Sequence, residues 1–555
     1  MKPINLLYFL FILLPGSDTL TKAQISQEGR LTEANSGHAS RIWSKRTWAA
    51  LLVGLTLLTV FVQGYHPLAE DGGLYVAGVE YTLDHSLFPH YTDFVREHLR
   101  FSLFAPMVAT TVRLTHLSLE WVLFLLDLLS IWLTLFAARQ ILRRCIASEP
   151  AQLAGIALLG AWWTMPIAGT SLMLMDPYVT ARSLSTPLSL LAVAFALDDW
   201  PRPLIRSRSL LNCVLCLAIA VWLHPLMAAY ALAFVIVLRA SRLRKRLLAW
   251  TILAASASIV AAILQALAPP ESPALLAAII TRYYWFLSQW HWFELLGLAG
   301  PLAVLAAIYR WHYAALSERA RVLCKSCFVL GAIATLDVLL FAHESAPVHV
   351  LAKLQLLRVY ILLYAVMAML LGATLWQIGS ETGKRARTLR WVMQSMPATF
   401  IVAMAAVMCF VQRQSFPSSI HLELPWRAAQ NPNPWVQAFL WAKQNTPRDA
   451  LFALDARYVN TDGEDAQTFR AISLRSAIPD YSKDGGEASI TPPLAPLWQQ
   501  GAAAQKDLSN QTDAVRDAHL RVFGTTWMVL HSAAITAHPC PYDNGTVKVC
   551  QLSSP

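Results

Sequence analysis

Of the chain's 555 residues, 56% are hydrophobic and only 14% are charged, against about 25% charged in soluble domains, so an ordinary soluble enzyme is excluded. The apolar residues come in blocks long enough to cross roughly 30 Å of hydrocarbon, where only a helix satisfies its own backbone. The net charge of +10 lies in short Lys/Arg clusters between those blocks, the pattern of cytoplasmic loops, and no nucleic-acid partner is expected.

Residues 1–46 are expected to form a disordered cytoplasmic segment. Ile4 to Leu14 is apolar but too short to span, and Ser17 to Ser40 is polar. The first span is read over Thr47 to Tyr65, after Arg41, Lys45 and Arg46, and the next over Leu119 to Ala138, before Arg139, Arg143 and Arg144. Between them lies a long outer loop, 66–118, whose Phe101 to Leu117 stretch reads as an interfacial or re-entrant helix. As a span it would place Arg143 and Arg144 outside. Further spans are expected at Leu153 to Met175, Leu184 to Leu197, Leu210 to Leu223, Leu226 to Leu238 and Leu247 to Leu267. Phe293 to Ile308, Val322 to Ala342, Leu351 to Trp376 and Trp391 to Val411 complete the set. The result is a mostly α, polytopic protein of about eleven membrane helices over 47–412, with every strongly basic loop on one side.

From 413 to 555 the composition turns polar, and a small extracytoplasmic α/β domain is expected. Trp435 to Lys443 has helical spacing, Asn445-Thr446-Pro447 breaks it, and Ala450 to Leu454, Thr526 to Leu530 and Gly545 to Leu552 read as strands. Cys540 and Cys550 flank a turn containing Asn544-Gly545, a strong hairpin signal. Two cysteines facing across a hairpin in an oxidising compartment are expected to be joined; the bland alternative is two unrelated thiols. Cys324 and Cys327 lack the second pair of a zinc site and are read as incidental.

Charged groups near membrane depth cost about 2.5–3.5 kcal/mol each on insertion scales, so each needs a reason. Glu70-Asp71-Gly72-Gly73 follows the first span; adjacent carboxylates can bind a cation or supply a general base, while spacing alone favours a solvated turn that caps the following helix. In Asp176 to Pro187, Arg182 stands at the mouth of a helix, suited to a phosphate or to an ion pair with Asp176. His224-Pro225 is a tight turn whose His is a helix cap or a phosphate contact. Gln355 and Arg358 lie near the outer end of the tenth span, with Lys353 placed to snorkel. Arg282, Tyr283, Tyr284, Trp285 and His291 belong to an aromatic outer segment that could cover a lipid or acceptor cleft, or form an ordinary interfacial belt.

This arrangement resembles the GT-C glycosyltransferases, polytopic enzymes that use lipid-linked sugars and carry an acidic motif in a long first outer loop. Glu70-Asp71 occupies that place. Thr180 to Pro187, His224-Pro225, Gln355 to Arg358, Asn445-Thr446-Pro447, Phe469-Arg470 and Asp484-Gly485-Gly486 also resemble uncharacterised bacterial members with a periplasmic domain. The resemblance implies inverting sugar transfer from a polyprenyl-phosphate donor to an acceptor glycan, lipid or protein at the outer face of a bacterial inner membrane. It makes Asp71 the base, with Glu70 as alternate, and gives the donor phosphate to Arg182, Arg358 and His224. No second Asp-x-Asp motif is present, so no cofactor and no bound metal is expected. A transporter or lipid flippase is the rival, supported by Asp127 and Asp337 inside spans. A non-catalytic assembly protein is a third reading.

Overall fold

The computed structural model describes residues 43–201, 203–382, 387–455 and 466–552. The reading of residues 1–42 as a disordered cytoplasmic segment therefore lies outside the described residues. Residues 43–47 open the first helix with a local turn in which the Thr47 N–H donates to Ser44 Oγ at 3.0 Å.

Seven helices among the described residues are long and apolar enough to cross a membrane. They begin with α1 (Lys45–Gln63) and include the 27-residue Leu119–Cys145 and the 24-residue Glu318–Phe341. Three shorter apolar helices, Ala181–Ala196, Arg208–Leu223 and Pro225–Ala240, pack against one another, and the first of them packs against Leu119–Cys145. Membrane character is thus shared between long spans and short helices that reach polar turns inside the protein.

One expected span is corrected. Leu153 to Met175 is not a continuous helix: Glu149–Ala161 ends after 13 residues, and the chain folds back on itself through a Pro166↔Met173 bridge. Pro166 has no N–H to continue the helix, and Gly169 follows it closely. Hydropathy alone does not register either. The Phe101 to Leu117 stretch forms Phe104–Thr115, at 12 residues too short to span.

After α1 the chain turns at Gly64 (φ 78°) and enters α2 (Asp71–Leu83). The C-terminal domain begins with α3 (Pro434–Asn445), started by Pro434 at its first position and by Asn433, whose side chain accepts from the Trp435 N–H. A five-stranded sheet follows in the order β2-β1-β3-β5-β4, from β1 (Leu451–Leu454), β2 (Ser476–Ala477), β3 (Trp527–His531), β4 (Tyr542–Asp543) and β5 (Val547–Gln551). The first three strands in that order run parallel, and β5 is antiparallel to both its neighbours, β3 and β4. β1 is buried along its whole length, as an inner parallel strand with both faces covered should be. Cys540 and Cys550 are bonded across the β4–β5 region.

This domain rests on the 66–118 segment. α2 packs on α4 (Ala466–Ser473), where Thr468 Oγ1 donates to the Leu68 carbonyl at 2.7 Å. A Cβ on Gly73 would stand 2.7 Å from Thr468 N and 2.8 Å from its Cα. The second glycine of the Glu-Asp-Gly-Gly motif is therefore what lets the two helices meet. Tyr91 and His90 add contacts to Phe523 and Ser476.

Candidate functional site

Glu70 stands immediately before α2 with φ 49° and ψ −125°, a conformation that L residues rarely hold and that costs roughly 1–3 kcal/mol. The strained turn places two successive carboxylates side by side. Both meet one cation from the C-terminal domain: Lys483 Nζ lies 2.7 Å from Glu70 Oε2 and 2.9 Å from Asp71 Oδ1. Burial would raise the Asp71 carboxyl; Lys483 outweighs it, helped by Arg182 and Arg358, and holds the group at about 2. Asp71 keeps 40% of its side-chain surface open, so the pair is at the edge of the site rather than sealed inside it.

Lys483 opens α5 (Lys483–Ile490), and its neighbour Asp484 points the other way. Asp484 makes a bidentate ion pair with Arg470 on α4, 2.8 Å at each oxygen, with both side chains at most 1% exposed. The Asp480 N–H and Gln467 Nε2 complete its shell. Phe469-Arg470 and Asp484-Gly485-Gly486, separate in sequence, thus form one buried node.

Arg182 binds Asp176 and donates to the Met173 carbonyl at 3.1 Å. Its helix is started by a reciprocal Thr180–Ser183 box. His224 caps Pro225–Ala240, its Nδ1 accepting from the Met227 N–H at 3.2 Å. Burial, then Arg182 and Arg358, push that imidazole down to about 4. Both structural alternatives read from the sequence are realised here, and both residues still lie within the electrostatic field of Asp71. Arg358 sits with its guanidinium carbon 5.7 Å from the Tyr284 ring centroid. Its Nε and the neighbouring Gln355 Oε1 have no hydrogen-bond partner among the described residues. They line a small cavity with Thr170, Tyr284 and Trp285.

The rest of the aromatic segment divides. Arg282 donates to the Ser482 carbonyl at 2.9 Å and the Tyr481 carbonyl at 3.2 Å, fastening the segment to the turn that presents Lys483. Trp285 is buried, while Tyr283 is 42% exposed. His291 caps Trp292–Trp311 with Glu294 and stacks on Phe293, outside the acidic cluster. Lys353 pairs with Glu271 at 2.7 Å, and His349 takes the other oxygen.

Sequence reading missed Lys483, Glu487 and His98. Glu487 is 6% exposed, its Oε2 lacks a partner among the described residues, and burial followed by Asp484 and Asp71 lifts it to about 8. His98 is buried with both ring nitrogens unpartnered among the described residues, and burial lowers it to about 4. The one available signal was position: Lys483 and Glu487 flank Asp484-Gly485-Gly486.

Neither a protein-family model nor a curated protein matches the chain. Among solved structures it is similar to an archaeal oligosaccharyltransferase from Archaeoglobus fulgidus, determined with an inhibitory peptide and a dolichol-phosphate. The identity is 11% and the TM-score 0.46, over 88% of this chain and 70% of that one. A likeness of that size carries no functional weight, so the site must be judged by its own residues.

Proposed function

We propose that this chain is a membrane glycosyltransferase, moving a sugar with inversion from a polyprenyl-phosphate donor to an acceptor hydroxyl. The reaction would take place at the membrane face bearing the C-terminal domain, the periplasmic side of a bacterial inner membrane. What supports this reading is the pair of adjacent carboxylates, Glu70 and Asp71, held on Lys483 at 2.7 and 2.9 Å at the open edge of the site, close enough to Arg182 and Arg358 that both lower the Asp71 carboxyl. The acceptor oxygen attacks the anomeric carbon, the bond to the polyprenyl phosphate breaks, and the acceptor proton passes to Asp71. Arg358, whose Nε has no partner among the described residues, takes the charge growing on the leaving phosphate, and Arg182 adds to that field while paired with Asp176. His224, at about 4, is neutral at pH 7 and serves through a hydrogen bond rather than as a cation. Lys483 must leave Asp71 before that oxygen can accept a proton, because a carboxyl held at about 2 is a weak base. Glu70, bound to the same lysine, is the alternate base.

The test is transfer of radiolabel from a panel of polyprenyl-phosphate sugars by membranes carrying wild type, Asp71→Asn or Glu70→Gln. Wild type is expected to move label from one donor, and Asp71→Asn to lose about 10²–10⁴-fold, the usual contribution of a positioned base. Full-rate transfer by the folded Asp71→Asn protein would remove Asp71 from this role. The transporter reading keeps one supporting observation: Asp127 Oδ2 is buried inside Leu119–Cys145 with no partner among the described residues. Asp337, by contrast, is explained by Ser258, whose hydroxyl donates to it at 2.6 Å.

A further inference from the structure

α2 has a second face. Asp71 and Tyr75 look toward the cluster described above, while Val76 and Glu80 line a cavity of about 240 Å³ on the other side. The cavity lies between α2, the start of the Leu119–Cys145 helix, the 416–431 connection and the C-terminal domain. Its buried end is formed by Tyr65, 1% exposed, whose hydroxyl has no hydrogen-bond partner among the described residues. Beside it Glu423 is held by His66 at 2.8 Å. Toward the opening stand Glu80, Glu120 and Lys443, with Glu120 and Lys443 exposed. Burial raises the Glu80 carboxyl, Lys443 lowers it and Glu120 raises it again, so the three share one field. Neither Glu80 nor Glu120 makes an ion pair among the described residues.

We infer that this cavity binds a phosphoethanolamine group, a primary ammonium two carbons from a phosphate ester. Glu80, partly buried and without an ion-pair partner among the described residues, and Glu120 beside it suit a cation with N–H donors, and Lys443 on the same rim suits an anion. The buried Tyr65 hydroxyl supplies a further hydrogen bond inside. The remaining wall is apolar, from Leu68, Leu119, Leu123 and Leu440. The volume is below the roughly 300–1,000 Å³ of sites for drug-sized ligands and suits a headgroup. Leu119 and Leu123 belong to the first turns of a candidate membrane span, so a lipid can present its headgroup there. The inference does not depend on sugar transfer, since none of these side chains belongs to the Asp71 cluster.

The full chain purified in detergent is titrated with ethanolamine phospholipid, with the matching choline phospholipid, and with free O-phosphoethanolamine, and retention is read by native mass spectrometry. Choline cannot donate N–H bonds, so the ethanolamine lipid is expected to bind about tenfold more tightly or better, the factor one charge-assisted hydrogen bond supplies. Glu80→Gln/Glu120→Gln is expected to abolish that preference while leaving the melting temperature within a few degrees, and Tyr65→Phe to reduce it several-fold. Binding of the lipid but not the free headgroup identifies a membrane source; binding of both identifies a soluble one. Equal retention of ethanolamine and choline lipids with no binding of free headgroup, or an undiminished preference in the double variant, would overturn the proposal.

Discussion

Lys483 and Asp484 are neighbours at the start of one helix, yet they stand in opposite worlds. Asp484 and Arg470 are dry, bidentate and saturated with donors. Lys483, 22% exposed, meets two carboxylates that keep 46% and 40% of their side-chain surface open. A sealed pair cannot be opened without stranding a charge, whereas an edge pair can exchange its partner for water or substrate at little cost. The sealed pair fixes the geometry of the turn so that the open pair can change.

Breaking the sealed side should have the largest effect. Asp484→Asn leaves the Arg470 guanidinium buried without its counter-charge and is expected to cost about 3–5 kcal/mol. The check is a thermal melt of the purified protein followed by size-exclusion chromatography; a melt unchanged from wild type would show that the node is not sealed. Glu487 comes next, because it is a buried carboxyl lifted to about 8. Its folded pKa lies above the unfolded value of about 4.3, so stability is full below pH 4 and is lost as pH rises from about 4 to 8. Glu487→Gln does not titrate and should therefore gain on wild type by a few kcal/mol at pH 8, with the gap closing near pH 4. Melting both proteins across that range measures it, and a gap independent of pH would refute the assignment.

The smallest stability change belongs to the open pair. Lys483→Gln should cost at most about 1 kcal/mol, as half-exposed pairs do. Its chemical effect is larger: without the ammonium, Asp71 rises from about 2 toward the ordinary carboxylate range. The depressed Asp71 contributes stability present above its unfolded pKa of about 3.9 and lost as pH falls toward 2. In Lys483→Gln that acid-side loss should shrink toward nothing, because the folded and unfolded values draw together, while the acid limb of any transfer activity should move to higher pH. Identical acid limbs in the two proteins would sever Lys483 from Asp71.

The sequence made the open carboxylates visible and hid their partner. Glu70-Asp71 announces itself by adjacency beside two glycines, but Lys483 Nζ reaches Asp71 across 412 residues of chain. The hairpin cysteines, the helix at Pro434–Asn445 and the three longer strands could be read because their signals are local: turn residues, caps and alternation. Arg470 and Asp484 were legible as motifs but not as a pair, since nothing in a spacing of 14 specifies a shared burial. Arg282 shows the opposite limit. Its aromatic surroundings suggest a lipid cleft, while its guanidinium donates to Thr281 and to the carbonyls of Tyr481 and Ser482.

That last connection ties two distant stretches of the chain together. The short helix Pro273–Ile280 lies in the apolar half of the chain and leads directly into Arg282. Arg282 donates to the two carbonyls just before Lys483, at 2.9 and 3.2 Å. The aromatic segment and the turn that presents the Lys483 ammonium to Asp71 are thereby joined through a single guanidinium, so the position of the acid's counter-charge is set partly from the apolar half of the chain.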